Sequence, residues 1–105
     1  MHYIFKVTIG PGYSAEAYAE AWQRASACIQ RAPGARGTRL HRKIGDPDVL
    51  LAIASWNSKA QRDAMEADPP AAVKAIIAEQ APYVEIEFIG EFEDAEWAVL
   101  PEDVR

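Results

Sequence analysis

Only one cysteine and two histidines occur in these 105 residues, and each scarcity removes a class of function. Cys28 has no partner for an internal disulfide; set among Ala25, Ala27 and Ile29, it reads as a buried or half-buried inert thiol rather than a nucleophile. His2 and His41 stand far apart and form no metal-ligand spacing with that lone cysteine, so no metal site is expected. There is no Gly-x-Ser-x-Gly nucleophile elbow. A membrane-spanning helix needs about 18 or more apolar residues in a row, and no such run exists. No basic segment followed by an apolar stretch and a small-residue cleavage site marks a secretory signal, which makes a cytoplasmic protein the expectation.

Positive charge is also short: 11 Lys and Arg stand against 16 Asp and Glu, a formal net charge of −5. Nucleic acid is an improbable partner for such a chain, because phosphate neutralisation needs clustered cations. The charges are segregated, however. Between Ala21 and Lys43 lie Arg24, Arg31, Arg36, Arg39, Arg42 and Lys43 with no acid, whereas from Ala75 onward Glu79, Glu85, Glu87, Glu91, Glu93, Asp94, Glu96, Glu102 and Asp103 face only Arg105.

Half of the residues are hydrophobic, enough for one folded domain of this length and too few for two. From His2 to Ile9 the chain alternates, with Tyr3, Phe5, Val7 and Ile9 on one side and His2, Ile4, Lys6 and Thr8 on the other, which predicts a strand with one core face. Gly10-Pro11-Gly12 ends it. Ser14 is a candidate N-cap for a helix reaching about Arg31, with Tyr18, Trp22, Ala25 and Ile29 recurring at spacings of three and four. Pro33-Gly34 stops that helix. Thr38 to Ile44 alternates again, placing Leu40 and Ile44 inward and Arg39, His41 and Lys43 outward. A turn at Gly45-Asp46-Pro47-Asp48 leads to an apolar run from Val49 to Trp56, the signature of a central strand buried on both sides. Ser58 and Gln61 make a capping-box pattern for a second helix, and Asp68 before Pro69-Pro70 is taken as the cap of a further helix ending near Gln80. Val84 to Phe92 is the last strand, with Val84, Ile86 and Phe88 inward and Glu85, Glu87, Ile89 and Glu91 outward.

The order β-α-β-β-α-β predicts an α+β, ferredoxin-like antiparallel sheet in strand order 4-1-3-2 with helices on one face. Residues 1–93 would form this domain. The tail 94–105 carries Trp97, Val99 and Leu100, too apolar for a solvated end, and is expected to touch a partner subunit. The bare face of the sheet points the same way, to a homodimer in which the basic edge strand of one subunit meets the acidic edge strand of the other. Gly10-x-Gly12-x-x-Ala15 imitates a dinucleotide fingerprint, but Pro11 removes a backbone donor and the chain is too short for two mononucleotide halves.

In the order and spacing of Phe5-Lys6-Val7, Pro11-Gly12, Pro33-Gly34, Gly45-Asp46-Pro47 and Ala54-Ser55-Trp56-Asn57-Ser58, the chain resembles the antibiotic biosynthesis monooxygenase family of dimeric α/β barrels, over nearly its whole length to Phe92. The resemblance implies a dimer packed sheet to sheet, with a pocket in each subunit where some members oxygenate polycyclic phenols with O2 and neither metal nor flavin. Quinone-forming members carry an Asn, a Trp and a Tyr at positions that correspond here to Ala52, Trp56 and Arg62. The haem-degrading branch carries an Asn, a Trp and a His at positions that correspond to Phe5, Met65 and Ala75, so haem degradation is not expected.

Trp56 is thus either a core plug or an aromatic wall that fixes a flat ligand. Phe5, Tyr18 and Trp22 would share that wall, with Arg62 and Met65 completing the ligand pocket. His41, between Arg39 and Lys43, is either a general base or an interface hydrogen-bonding group. The expected activity is cofactor-independent oxygenation of a small aromatic, phenolic or quinone-like compound; the alternative is a dimer that only binds such a molecule.

Overall fold

A computed structural model describes residues 1–104; Arg105, the last residue of the expected tail, lies outside them. The elements run β1 (His2–Ile9), α1 (Ala15–Ile29), β2 (Ala35–Lys43), β3 (Asp46–Trp56), α2 (Lys59–Ala67), α3 (Ala71–Gln80) and β4 (Val84–Phe92), with short 3-10 turns at Ala81–Tyr83 and Pro101–Val104. The strands form one antiparallel sheet in the order β2-β3-β1-β4. This is the ferredoxin-like α+β arrangement that the strand and helix order predicts.

Local chemistry explains where the helices begin. Ser14 Oγ accepts the Ala17 N–H at 3.1 Å, and Ser58 Oγ accepts the Gln61 N–H at 3.2 Å, each satisfying a donor that the first helical turn leaves free. Asp68 caps the other way from the expectation. It closes α2, its N–H reaching Met65 O at 3.2 Å, while Pro70 occupies the N-cap of α3 with no side-chain bond. The cause is Pro69, whose ring keeps the preceding residue out of the helical region.

The β2–β3 hairpin is tighter than the sequence suggests. Lys43 pairs with Asp46 across Ile44-Gly45, Gly45 supplying a φ of +85°, so Asp46-Pro47-Asp48 belongs to β3 rather than to the turn. Ile44, expected inward, is therefore 99% exposed at the tip. The strand β3 is buried on the helix side at Leu50, Ala52 and Trp56, but Leu51 on the opposite face stays part-exposed.

A register shift in the β1–β4 ladder, where Ile4 faces Gly90 but Phe5 faces Phe88, changes the outer part of β4. Beyond this bulge the faces exchange. Glu91, expected on the open face, comes beside Tyr3 and reaches Lys59 of α2 at 2.9 Å, while Phe92 comes beside His2 on the open face. That face carries Ile4, Ile53 and Leu51 among its charges, and the bulge adds Phe92.

The core lies between β1, β3 and α1, where Val7, Ile9, Ala15, Tyr18 and Leu50 pack together. Each large apolar side chain fully buried there contributes roughly 1.5–3 kcal/mol. Gly10 closes the same end of the molecule: its N–H bonds Tyr83 O at 2.8 Å, and a Cβ at this position would lie 2.8 Å from that oxygen.

Candidate active site

The cavity between sheet and helices begins with two small side chains. On the helix side of β3 the sequence reads Leu50, Ala52, Ala54, Trp56, and the alanines leave a hollow under Ala25 of α1 that larger residues would fill. The hollow has a volume of about 480 Å³, within the size of small-molecule sites in general. Tyr3 and Phe5 of β1 and Trp56 of β3 line it from the sheet; Tyr18 and Trp22 of α1 and Arg62 and Met65 of α2 line it from the helices.

Trp56 is 1% exposed, so it is both a core residue and part of the cavity wall. Its backbone is held as firmly as its ring, its N–H donating to Met1 O at 2.9 Å and its carbonyl accepting from the Met1 ammonium at 3.0 Å and from Arg36 Nη1 at 3.3 Å. Burial pushes the Tyr18 phenol up to about 12, which keeps it neutral and makes it a donor rather than a base at ordinary pH.

Among the described residues Arg62 brings the one positive charge to this lining. Its guanidinium carbon sits 4.0 Å from the centroid of the Tyr3 ring, a cation–π contact, and that ring in turn lies 5.0 Å from Phe88. Glu66 and Asp63, its acidic neighbours on α2, are 3.5 and 3.6 Å away.

The structure thus brings Phe5, Tyr18, Trp22, Trp56, Arg62 and Met65 around one space. It does not bring His41 there. His41 lies on β2 cross-strand from Leu51, on the sheet face turned away from the helices, and is exposed. Tyr3, Ser26 and Gln80 are lining residues that the sequence reading missed. The alternation of β1 already put Tyr3 on the inner face. Nothing marked Gln80, a buried polar residue that accepts a hydrogen bond from the Tyr13 hydroxyl at the end of α3. Cys28 is half-buried and borders a separate hollow with Arg31 and Asp68. No group of three or more potential metal ligands occurs among the described residues, and none of the helices there is long and apolar enough to cross a membrane.

The structure is thus a ferredoxin-like α+β domain with an aromatic-lined cavity between its sheet and its helices. The sequence model of one family, antibiotic biosynthesis monooxygenase, matches residues 1–73, and the chain belongs to that family. No curated protein matches. Among solved structures the chain is similar to SnoaB, a cofactor-independent oxygenase from Streptomyces nogalater, at 16% identity and a TM-score of 0.71 over 90% of this chain and 96% of that one. It is also similar to Rv0793 from Mycobacterium tuberculosis (12% identity, TM-score 0.65, 90% and 98% covered) and to PA3566 from Pseudomonas aeruginosa (18% identity, TM-score 0.65, 88% and 93% covered). These likenesses extend the shared fold beyond residue 73 to β4.

Proposed function

We propose that the chain is a cofactor-independent monooxygenase whose substrate is a small aromatic, phenolic or quinone-like compound held in the cavity. The observation that carries this reading is the cavity itself, an apolar slot floored by alanines and walled by Phe5, Trp22 and Trp56. Such walls take a flat ring and exclude water. Oxidation of an anthrone methylene to a carbonyl places one atom of O2 on carbon and releases the other as water. All four electrons come from the substrate, so the protein's part is to hold the ring and favour its ionised, electron-rich form.

A second reading, a dimer that binds such a molecule without oxidising it, is favoured by one feature. Ala52 and Arg62 stand where the family resemblance implies Asn and Tyr, and Ala52, on the cavity floor, has no polar atom with which to orient a substrate. Haem degradation is not proposed: Phe5, Met65 and Ala75 occupy its three positions, and Ala75 is exposed on α3.

Oxygen uptake and thermal stabilisation, measured with one panel of hydroxyquinols and anthrones, separate the readings. Uptake supports the monooxygenase. Stabilisation without uptake selects the binding protein, and neither response rejects the cavity as an aromatic site.

The working form is proposed to be a cytoplasmic homodimer. The open sheet face supports this, since it presents Ile4, Ile53, Leu51 and Phe92 to solvent in an isolated subunit, Phe92 being 51% exposed. Trp97 and Val99 of the tail, 85% and 77% exposed, are proposed to pack against the partner.

A further inference from the structure

We propose that Arg62 makes the cavity selective for aromatic carboxylates: a flat ring enters between the sheet and α1, and its carboxylate meets the guanidinium at the α2 side. The inference rests on the reading of the cavity as an aromatic site and adds the group that a ligand must carry.

Three features of the charge balance support it. Among the described residues Arg62 is the one cation lining the cavity, with its neighbour Glu66 the one carboxylate there, and its side chain is only 14% exposed. A guanidinium drawn this far from water normally has close anionic partners. Here its one hydrogen bond to a side chain, to Glu66 Oε2, is long at 3.5 Å, and its contact with Asp63 is longer still. Both carboxylates are largely hydrated, at 62% and 48% exposure, and Asp63 is shared with Lys59 at 3.3 Å.

The sheet beneath offers no better partner. Glu91, cross-strand from Tyr3, is already held by Lys59 at 2.9 Å, and the surface next to the guanidinium is the ring of Tyr3. The Tyr3 ring holds the guanidinium from one side, and the long contacts of its two Nη atoms with Asp63 and Glu66 are the ones a ligand carboxylate would replace. A carboxylate matches a guanidinium edge with two parallel bonds of about 2.7–2.9 Å, shorter than the present bond to Glu66. A neutral phenol offers a single oxygen and no charge.

The test is calorimetric titration of the full chain with 2-naphthoate and with 2-naphthamide, which share size and ring but differ in charge, at neutral pH and low salt. The unaltered protein is predicted to bind the acid about tenfold or more tightly than the amide, the usual worth of a charge-assisted pair. In Arg62→Gln the ratio should fall to about one, and in Arg62→Lys, which keeps charge and loses the fork, it should lie between. Circular dichroism confirms that each variant is folded, and the lysine variant carries the test if the glutamine variant is not. Equal affinity for acid and amide in the unaltered protein, or a preference that survives Arg62→Gln, overturns the inference and leaves the aromatic cavity standing. Failure of both compounds to bind overturns the cavity reading and the inference with it.

Discussion

Trp56 ends β3 with 1% of its surface exposed, and it shares a cavity with Ala54, a residue a fraction of its size. The large residue stabilises and the small one makes room, so the two positions should respond oppositely to substitution. Trp56→Ala removes a fully buried aromatic ring and is expected to cost about 3–5 kcal/mol in urea unfolding. A variant that unfolded at the parent's midpoint while losing ligand binding would show the ring to be wall alone. Ala54→Leu, by contrast, puts a branched side chain into empty space. It should abolish binding of naphthalene-sized ligands while the melting temperature holds or rises, and retained binding would place the ligand elsewhere. These residue-level roles were only half legible in the sequence. The aromatic positions followed from alternation and helical spacing, but the alanines of Val-Leu-Leu-Ala-Ile-Ala look like ordinary core until the cross-strand partners show that nothing fills the space above them.

Among the elements, β4 departs furthest from its sequence pattern. Strict alternation predicts one face for Glu85, Glu87 and Glu91, but period two carries no information about an inserted residue, and the bulge near Gly90 sends Glu91 to Lys59 and Phe92 to the open face. Helix starts were legible because Ser14 and Ser58 are caps by their own chemistry; the end of α2 was not, because Asp68 can serve either neighbour until Pro69 decides. Just after β4, Asp94 gathers the Met1 ammonium at 3.0 Å, His2 Nε2 at 2.9 Å and Arg36 Nη1 at 3.2 Å, joining β1, β2 and the tail. His2 Nδ1 also meets Ser55 Oγ at 2.8 Å. The residue set is that of a hydrolase triad with the ring nitrogens exchanged, and neither cavity touches it, so it acts as a clasp. The hydrogen bond from the Met1 ammonium, then that from Arg36, holds the Asp94 carboxyl below its ordinary value. Its contribution to stability is therefore complete above the unfolded carboxylate pKa of about 4 and is lost as the pH falls through the lowered folded value. Asp94→Asn should melt below the parent at neutral pH and together with it in strong acid. A gap in melting temperature that persisted unchanged into acid would assign the loss to something other than the charge.

On the scale of the whole molecule, β2 and β4 are the two edges of the sheet, and they hold the segregated charges. Arg39 and His41 face outward on β2, Glu85 and Glu87 on β4, and among the described residues only Glu87 finds a partner there, Lys6 at 3.7 Å. A two-fold axis stacking two such faces sets opposite signs together twice and covers Leu51 and Phe92. Light scattering should report a dimer at micromolar concentration, weakened by Arg39→Glu with Lys43→Glu and partly restored by adding Glu85→Lys and Glu87→Lys. A monomeric mass for the unaltered chain would end this account of the open face, and indifference to all four changes would remove its electrostatic part. The segregation was visible in the sequence, and so was Ile4 on the open face, whereas Phe92 there was not, since it depends on the bulge. The central claim concerns the other face, and the most direct measurement is a crystal structure of the chain with a bound hydroxyanthrone. The account predicts the ring system between Trp22 and the β3 alanines, bordered by Phe5 and Trp56, with its ionisable oxygen toward Arg62. A hydroxyanthrone seated on the open sheet face, with the cavity under the helices unfilled, would contradict it.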